Sequence, residues 1–379
     1  MLHLAILANA ANYHLHRWLP ALSARGIRVS LISFVEPSAS IQGVEFHRMA
    51  RPTRFIWKHT LADFLLGTRN ATRLLQSLNP DVLMGSYATN YGFMAARTGR
   101  HPFVLQTWTA DVQLYPSVGP KKLILGPMVR RSLREADLVT TDGPALLEEL
   151  VRSFPSCAGR AEGILWGIEL EQYLNLPERR SKAREDLLIP QDAVVITNAR
   201  GLRIHDRPEV SLPALERVLD SRANVHVNVL TLGHQPEEAI TGVLARLRAH
   251  PRCRIFDRFL SKNAVRDVWA ASDLVVSVPL FDGISETLLE AMAAGCIPVL
   301  SEIPPNRIIV PDPDNAIFTR ADAPETLVDD ILEGLDRLDE LRESAVPANK
   351  AWVRENASID QAADRLAGLL RGLVEKETE

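Results

Sequence analysis

The stretch Pro279-Leu-Phe-Asp-Gly-Ile-Ser-Glu-Thr-Leu-Leu-Glu-Ala-Met-Ala-Ala-Gly295 decides how the rest of the chain is read. It follows an apolar run, Leu274 to Val278, with the length of a buried strand, and it opens a helix. Ser285 is placed to cap that helix by accepting a hydrogen bond from a first-turn amide. The backbone from Gly283 and Ile284 through Ser285 to Glu286 lies at the positive end of the helix, where a diphosphate can sit. Asp282 precedes that end and Glu290 lies about a turn and a half inside it. Two carboxylates so placed can accept hydrogen bonds from ribose and sugar hydroxyls while the backbone holds phosphate. Taken alone, the same residue types also fit a bare capping serine and a surface glutamate.

Working outward, the same strand-then-helix alternation recurs on both sides. Before it come strands at Val194 to Thr197, Val225 to Thr231 and Arg254 to Phe256, with helices at Val210 to Leu219 and Ile240 to Ala249; after it comes a strand at Ile297 to Leu300. Nearer the start, Leu2 to Ala8, a helix from His14 to Arg25 and Val29 to Phe34 make a βαβ opening. Strands at Val82 to Met84, Phe103 to Gln106 and Leu138 to Thr141 follow, with helices at Leu61 to Leu78 and Pro144 to Phe154. A Pro- and charge-rich connector, Leu176 to Lys182, separates two parallel, helix-covered sheets. The length of 379 residues agrees, at about 150 per domain. The last segment carries Ile359, Ala363, Leu366, Leu370 and Leu373 on one helical stripe, with Ser358 and Gln361 as a capping box, and needs a surface to pack on.

Apolar residues at 46 % and charged residues at 24 % exclude a disordered, collagen-like or disulfide-scaffold protein. No apolar run approaches the ~18 residues of a spanning helix, and Met1 to Asn9 reads as a first strand, so a cytoplasmic location is expected. Cys157, Cys253 and Cys296 lie far apart with no CxxC pair, which fits reduced, buried thiols and no metal site. The first βα loop, Asn9 to Tyr13, lacks GxGxxG, which counts against a dinucleotide dehydrogenase, and no Walker A sequence occurs. The net charge of −4 is unevenly spread: up to Leu165 the chain is +7, and beyond it −11. A basic half suits an anionic partner, or is solvated surface with a chance imbalance. No nucleic-acid-binding module accompanies it.

At this point the chain resembles glycosyltransferase family 4. Leu288-Leu-Glu-Ala-Met292 matches the surroundings of the second glutamate of that family's E-x7-E signature, with Glu290 as that glutamate and Asp282 in place of the first. His14-Leu-His-Arg-Trp18 followed by Leu22-Ser-Ala-Arg-Gly26 resembles its first helix, and Thr107-Trp-Thr-Ala-Asp111 its Trp-Gly-x-Asp segment. Trp166-Gly-Ile-Glu169 resembles its Gly-Val-Asp linker, Ala199-Arg-Gly-Leu202 its phosphate-binding arginine, and Ala271-Ser-Asp273 the usual lead into the signature. The likeness runs along nearly the whole chain.

The resemblance implies a GT-B fold of two facing Rossmann-like parallel-sheet domains: an acceptor-binding domain over 1–165, a nucleotide-sugar-binding domain over 166–355, and a helix over 356–379 crossing back to the first. It implies a retaining transferase working without a metal or other cofactor, with a nucleotide-diphosphate sugar, UDP favoured, as donor and a glycan or lipid-linked molecule as acceptor. Arg200 and Asp282 are then expected in catalysis with Asp111, and Arg200, Arg203, Gly283, Ile284, Ser285, Glu286 and Glu290 in holding the donor. His14, Trp108 and Asp111 are expected on the acceptor side, His16 facing solvent and Trp18 in the core. The sequence departs from the family where its phosphate-binding lysine is expected: His205 stands there, with Arg203 and Arg207 nearby. Other readings of the same architecture are a nucleotide-sugar epimerase or hydrolase, and a non-catalytic binding protein. The run from Arg48 to Lys58, with Arg51, Arg54, Phe55 and Trp57, together with Lys121-Lys122 and Arg130-Arg131, makes an anionic inner membrane face a candidate partner.

Overall fold

The computed structural model describes residues 1–52, 61–109, 111, 122–320 and 322–378. The chain divides into two units, Met1–Trp166 together with Ile359–Glu379, and Gly167–Ser358.

Seven strands make the first sheet: β1 (His3–Leu7), β2 (Arg28–Ser33), β3 (Val44–Arg48), β4 (Val82–Ser86), β5 (Phe103–Gln106), β6 (Leu138–Asp142) and β7 (Ala161–Ile164). All pairs are parallel, in the order β3-β2-β1-β4-β5-β6-β7. Alternate side chains feed two cores, as a sheet covered on both faces requires. Leu4, Ile6, Val82, Met84 and Val104 pack with Trp18, Leu19 and Leu22 of the helix Leu15–Ala24; Ala5, Leu7, Leu83, Phe103 and Leu105 pack on the other side with Met94, Val129 and Leu133.

The last helix, Ile359–Thr378, lays Ile359, Ala363, Leu366 and Leu370 into the first of those cores, beside Trp18 and Leu22. Arg25, ending the helix Leu15–Ala24, clamps it: Nε donates to Asp364 Oδ1 at 2.6 Å and one terminal nitrogen to the Asp360 carbonyl at 2.7 Å. Arg371 returns a bond to the Arg25 carbonyl at 3.0 Å.

The second sheet holds β8 (Val194–Asn198), β9 (Val225–Leu230), β10 (Cys253–Phe256), β11 (Leu274–Ser277), β12 (Ile297–Ser301) and β13 (Ile317–Thr319), again all parallel, in the order β10-β9-β8-β11-β12-β13. The expected connector at Leu176 to Lys182 is corrected: Leu176–Arg179 forms a helical turn and Arg180–Asp186 a helix. Its charges have a structural task. Arg184, fully buried, and Arg180 both bond the Asp273 carboxylate, at 2.8 and 2.5 Å. The helix expected from Leu61 to Leu78 is two, Leu61–Leu66 and Thr68–Leu78, meeting at Gly67. Cys157 and Cys296 are buried thiols as expected, but Cys253, on the edge strand β10, is half-buried. Gly167 opens the second unit with φ +66° against the backbone of Ala357, where any Cβ would overlap the carbonyl oxygen, so only glycine fits. Beside it the Ile168 amide donates to that carbonyl at 2.8 Å.

Candidate functional site

In each sheet the strand order reverses direction once, between β1 and β4 and between β8 and β11. Loops leaving the carboxyl ends of those strands diverge to opposite faces, and the crevice between them is where open parallel sheets hold ligands. In the second unit these are the loops that carry Arg200, after β8, and Asp282, after β11.

Ser285 caps the helix Glu286–Ala294, its Oγ accepting from the Leu288 amide at 3.4 Å. Arg200, with 11 % of its side chain exposed, reaches the same point: a terminal nitrogen donates to Asp282 Oδ2 at 2.7 Å and to Ser285 Oγ at 3.2 Å, and Nε donates to Asp206 Oδ1 at 3.2 Å. Burial disfavours the guanidinium charge, and the Asp282 and Asp206 carboxylates more than offset that, holding its pKa above the ordinary value. Asp282 also accepts from the Gly283 amide at 2.9 Å, which fixes the loop, with Gly283 and Ile284 buried. One guanidinium between two carboxylates leaves this cluster net negative. A diphosphate arriving here therefore needs the helix dipole and further cations.

Those cations flank it. Arg203 is exposed, with Nε 3.0 Å from His234 Nε2, and His234 Nδ1 accepts from the Leu202 amide at 3.2 Å. A neutral imidazole accepts at only one nitrogen. With Nδ1 as acceptor, Nε2 carries hydrogen and Arg203 has no true acceptor there, so its guanidinium is available to an anion. The ring packs against Gly201, where a Cβ would overlap it. His205 stacks on Phe281, ring centroids 5.4 Å apart, and burial lowers its pKa against the pull of Asp206. Arg207, half-buried, takes a left-handed φ of +56°. Glu290 is buried within the helix and accepts from Trp269 Nε1 at 3.3 Å, while Glu286 is half-exposed in the first turn.

His14, Trp108 and Asp111 gather in the first unit, after β1 and β5. The His14 ring lies 5.3 Å from Trp108, and Tyr87, after β4, stacks on the same indole at 6.0 Å. Trp108 Nε1 donates to Ser86 Oγ at 3.0 Å. Burial lowers the His14 pKa, with Arg17 acting the same way and Asp142 opposing. His16 is half-buried, its Nε2 donating to the Ala10 carbonyl at 3.1 Å, rather than facing solvent.

Asp111 is fully buried; the Trp108 amide donates to Oδ2 at 3.2 Å, and burial, opposed by that amide and those of Ala88 and Thr89, pushes its pKa up to about 7. A carboxyl whose folded pKa lies above its unfolded value loses stability as pH rises between the two, and the full penalty is present above the higher one. Asp111→Asn is accordingly expected to raise the melting temperature at pH 8 and to leave it nearly unchanged at pH 4. The limiting gain is on the order of a few kcal/mol. Thermal melts of both proteins across that range check it; a gain that does not grow with pH contradicts it.

Sequence reasoning missed Asp206, His234, Tyr87 and Trp269. An acid inside the basic run Arg200 to Arg207 was the available signal for the first, and position just past β9 for the second. Among the described residues no group of three or more His, Cys, Asp or Glu is placed to hold a metal ion, and no helix is long and apolar enough to cross a membrane. Arg54, Phe55, Trp57, Lys58 and Lys121, expected on the basic surface, lie outside the described residues.

Comparison with known proteins agrees with the geometry. Residues 3–143 match the family "Glycosyl transferase 4-like", and residues 194–337 the family "Glycosyl transferases group 1". Curated sequences give no significant match. Among solved structures, sucrose-phosphate synthase from Thermosynechococcus elongatus superimposes with a TM-score of 0.81 at 13 % identity, over 99 % of this chain and 100 % of that one. HepE from Anabaena in complex with UDP-glucose gives 0.79 at 15 %, over 98 % and 100 %. WaaG, a glycosyltransferase involved in lipopolysaccharide biosynthesis, gives 0.76 at 14 %, over 97 % and 100 %. With two Rossmann-like parallel sheets and family matches over residues 3–143 and 194–337, this chain belongs to the family 4 type of GT-B glycosyltransferases.

Proposed function

We infer that the protein is a retaining glycosyltransferase that moves a hexose from a UDP-sugar to a glycan or lipid-linked acceptor in cell-surface glycan synthesis, on the cytoplasmic side of a membrane. The observation that carries this reading is the join of Arg200, Asp282 and the Ser285 cap at one helix end, on the two strands that flank the switch point. Such a point recognises a diphosphate through preorganised donors. Uridine is favoured because HepE, alike in fold, is described with UDP and with UDP-glucose.

In this reading the leaving diphosphate gathers negative charge as the anomeric C–O bond breaks. The helix end, Arg200 and Arg203 stabilise that charge, and Glu290, its rotamer set by Trp269, clasps the ribose. The acceptor hydroxyl attacks from the same face, and its proton passes to the departing phosphate oxygen. Configuration is retained with no enzymic nucleophile and no metal. Asp111 serves as a polar anchor, with His14 and Trp108 lining the acceptor side.

A thermal-shift screen of UDP, GDP, ADP and their sugars tests the donor. A ligand at 100 times its Kd stabilises by about 2.7 kcal/mol; UDP and one UDP-sugar are expected to do so, and no shift with any nucleotide overturns the reading. The anomeric configuration of the product, read by NMR, tests retention, and donor incubated alone separates transfer from hydrolysis or epimerisation.

A further inference from the structure

The helix Lys122–Glu135 in the first unit has an unusual outward face. Its exposed residues are Leu123, Ile124, Pro127, Arg130, Arg131 and Arg134, while Met128, Val129, Ser132 and Leu133 point into the core. At 100° per residue, Leu123, Pro127, Arg130 and Arg134 form one line along the helix, with Ile124 and Arg131 beside it. Leu123 is 75 % exposed and Ile124 56 %. No acidic or neutral polar side chain interrupts this face before Glu135, which pairs with Arg134. Arg130 folds its guanidinium back towards Gly126, one turn nearer the apolar end.

The same order recurs in the same unit. Leu65 and Leu66, 39 % and 61 % exposed, end the helix Leu61–Leu66 and are followed by exposed Arg69 and Arg73 on Thr68–Leu78, a helix without an acidic residue. The buried helix Gly92–Ala96 packs against both Leu61–Leu66 and Lys122–Glu135, so the two helices that carry the apolar pairs share one neighbour.

Solvent alone does not account for this: a water-facing helix surface mixes charges of both signs with polar groups, whereas here large apolar side chains sit at one end and only cations at the other. We propose that the outward face of Lys122–Glu135, with Leu65 and Leu66, docks the protein on an anionic phospholipid bilayer, Leu123 and Ile124 entering the acyl boundary and Arg130 and Arg131 bonding headgroup phosphates. The proposal deepens the membrane-side reading above and rests on it. Charge complementarity selects the occupant. A second copy meeting this face about a two-fold axis would bring no carboxylate to Arg130 or Arg131, setting them against arginines or against leucine and isoleucine, and a nucleic acid offers nothing to the leucine and isoleucine. An anionic bilayer matches both ends, its phosphates taking the guanidinium groups and its chains the apolar tips.

Sedimentation of the full chain with vesicles of phosphatidylcholine, with and without a third of phosphatidylglycerol, tests this. Binding is expected to the anionic vesicles only, and to weaken with salt. Leu123→Ser with Ile124→Ser is expected to lower the partition coefficient at least about tenfold, and Arg130→Gln with Arg131→Gln about fivefold per arginine. All four positions are exposed, so each variant is expected to keep the parent melting temperature and UDP shift. That UDP shift also separates this test from the donor reading: its loss in the parent condemns the latter, not the docking surface. Equal sedimentation with neutral and anionic vesicles, or parent-like binding by both double variants, overturns the proposal. So does a parent that is dimeric in solution and becomes monomeric in the serine variant, which would assign the face to a second copy.

Discussion

Arg200→Ala is expected to lower kcat/KM for transfer by ~10²–10³-fold, the range for removing one preorganised donor to a developing anion. The expectation is specific to this side chain because it bonds three groups at once: Asp206, Asp282 and the cap Ser285. Without the guanidinium, two carboxylates face one helix end with nothing between them, and the net negative charge that a diphosphate would have to overcome there grows by one unit. Loss is therefore expected in UDP binding as well as in turnover. Arg200→Lys keeps one charge but cannot span the three partners, so it should fall between the two. Calorimetric titration with UDP and initial rates with a UDP-sugar measure both effects. An alanine variant within threefold of the parent in both would remove the phosphate-binding role.

Asp273→Asn is the largest expected effect on stability. The Asp273 carboxylate accepts from Arg180 at 2.5 Å, Arg184 at 2.8 Å, Arg342 at 2.7 Å and the Val195 amide at 2.9 Å. Arg184 is almost wholly buried and its burial lowers its pKa, with Asp273 as the opposing charge; Arg180 and Arg342 are partly exposed, so water screens them. Removing one partner of a buried pair costs about 3–5 kcal/mol because the other charge stays desolvated. At roughly 2–4 °C per kcal/mol for a domain of this size, that is a fall on the order of 10 °C in the melting of the second unit. Differential scanning calorimetry reads it, and under the proposed donor reading UDP is expected to mark the second unit's transition by raising it. Asp273→Asn with Arg184→Met, which removes the stranded charge, should recover part of the loss. A single variant that melts with the parent would show the cluster to be ornamental.

Much of the architecture could be read from apolar runs, because strands covered on both faces are written as such: Leu4 to Leu7, Val82 to Met84 and Leu274 to Val276 are all buried. The strands that were missed are β3, β7 and β13, all at sheet edges. Val44-Glu-Phe-His-Arg48 and Ala161-Glu-Gly-Ile164 are only partly buried and carry charges, and Ile317–Thr319 is three residues long, so none leaves an apolar signature. The helix Arg180–Asp186 looked like a linker because its arginines suggested solvent; they are spent on Asp273, a partner about ninety residues away that local sequence cannot reveal. The switch-point loop was legible for a different reason. Ser285, Asp282 and Glu290 are near one another in sequence, and capping chemistry is local. Asp206 and His234 are brought in by the sheet order, and Trp269 reaches Glu290 from another helix, so these depended on the fold itself.

The clamp between Arg25 and Asp364 joins groups 339 residues apart in sequence, whereas Gly167–Ser358 is contiguous. During synthesis at about 5–20 residues per second, the contiguous unit can close as soon as it emerges, while the first must wait roughly ten seconds or more for its final helix. Through that interval Trp18, Leu22 and the neighbouring core lack the cover of the last helix, and any fragment ending before Ile359 would leave that apolar surface open permanently.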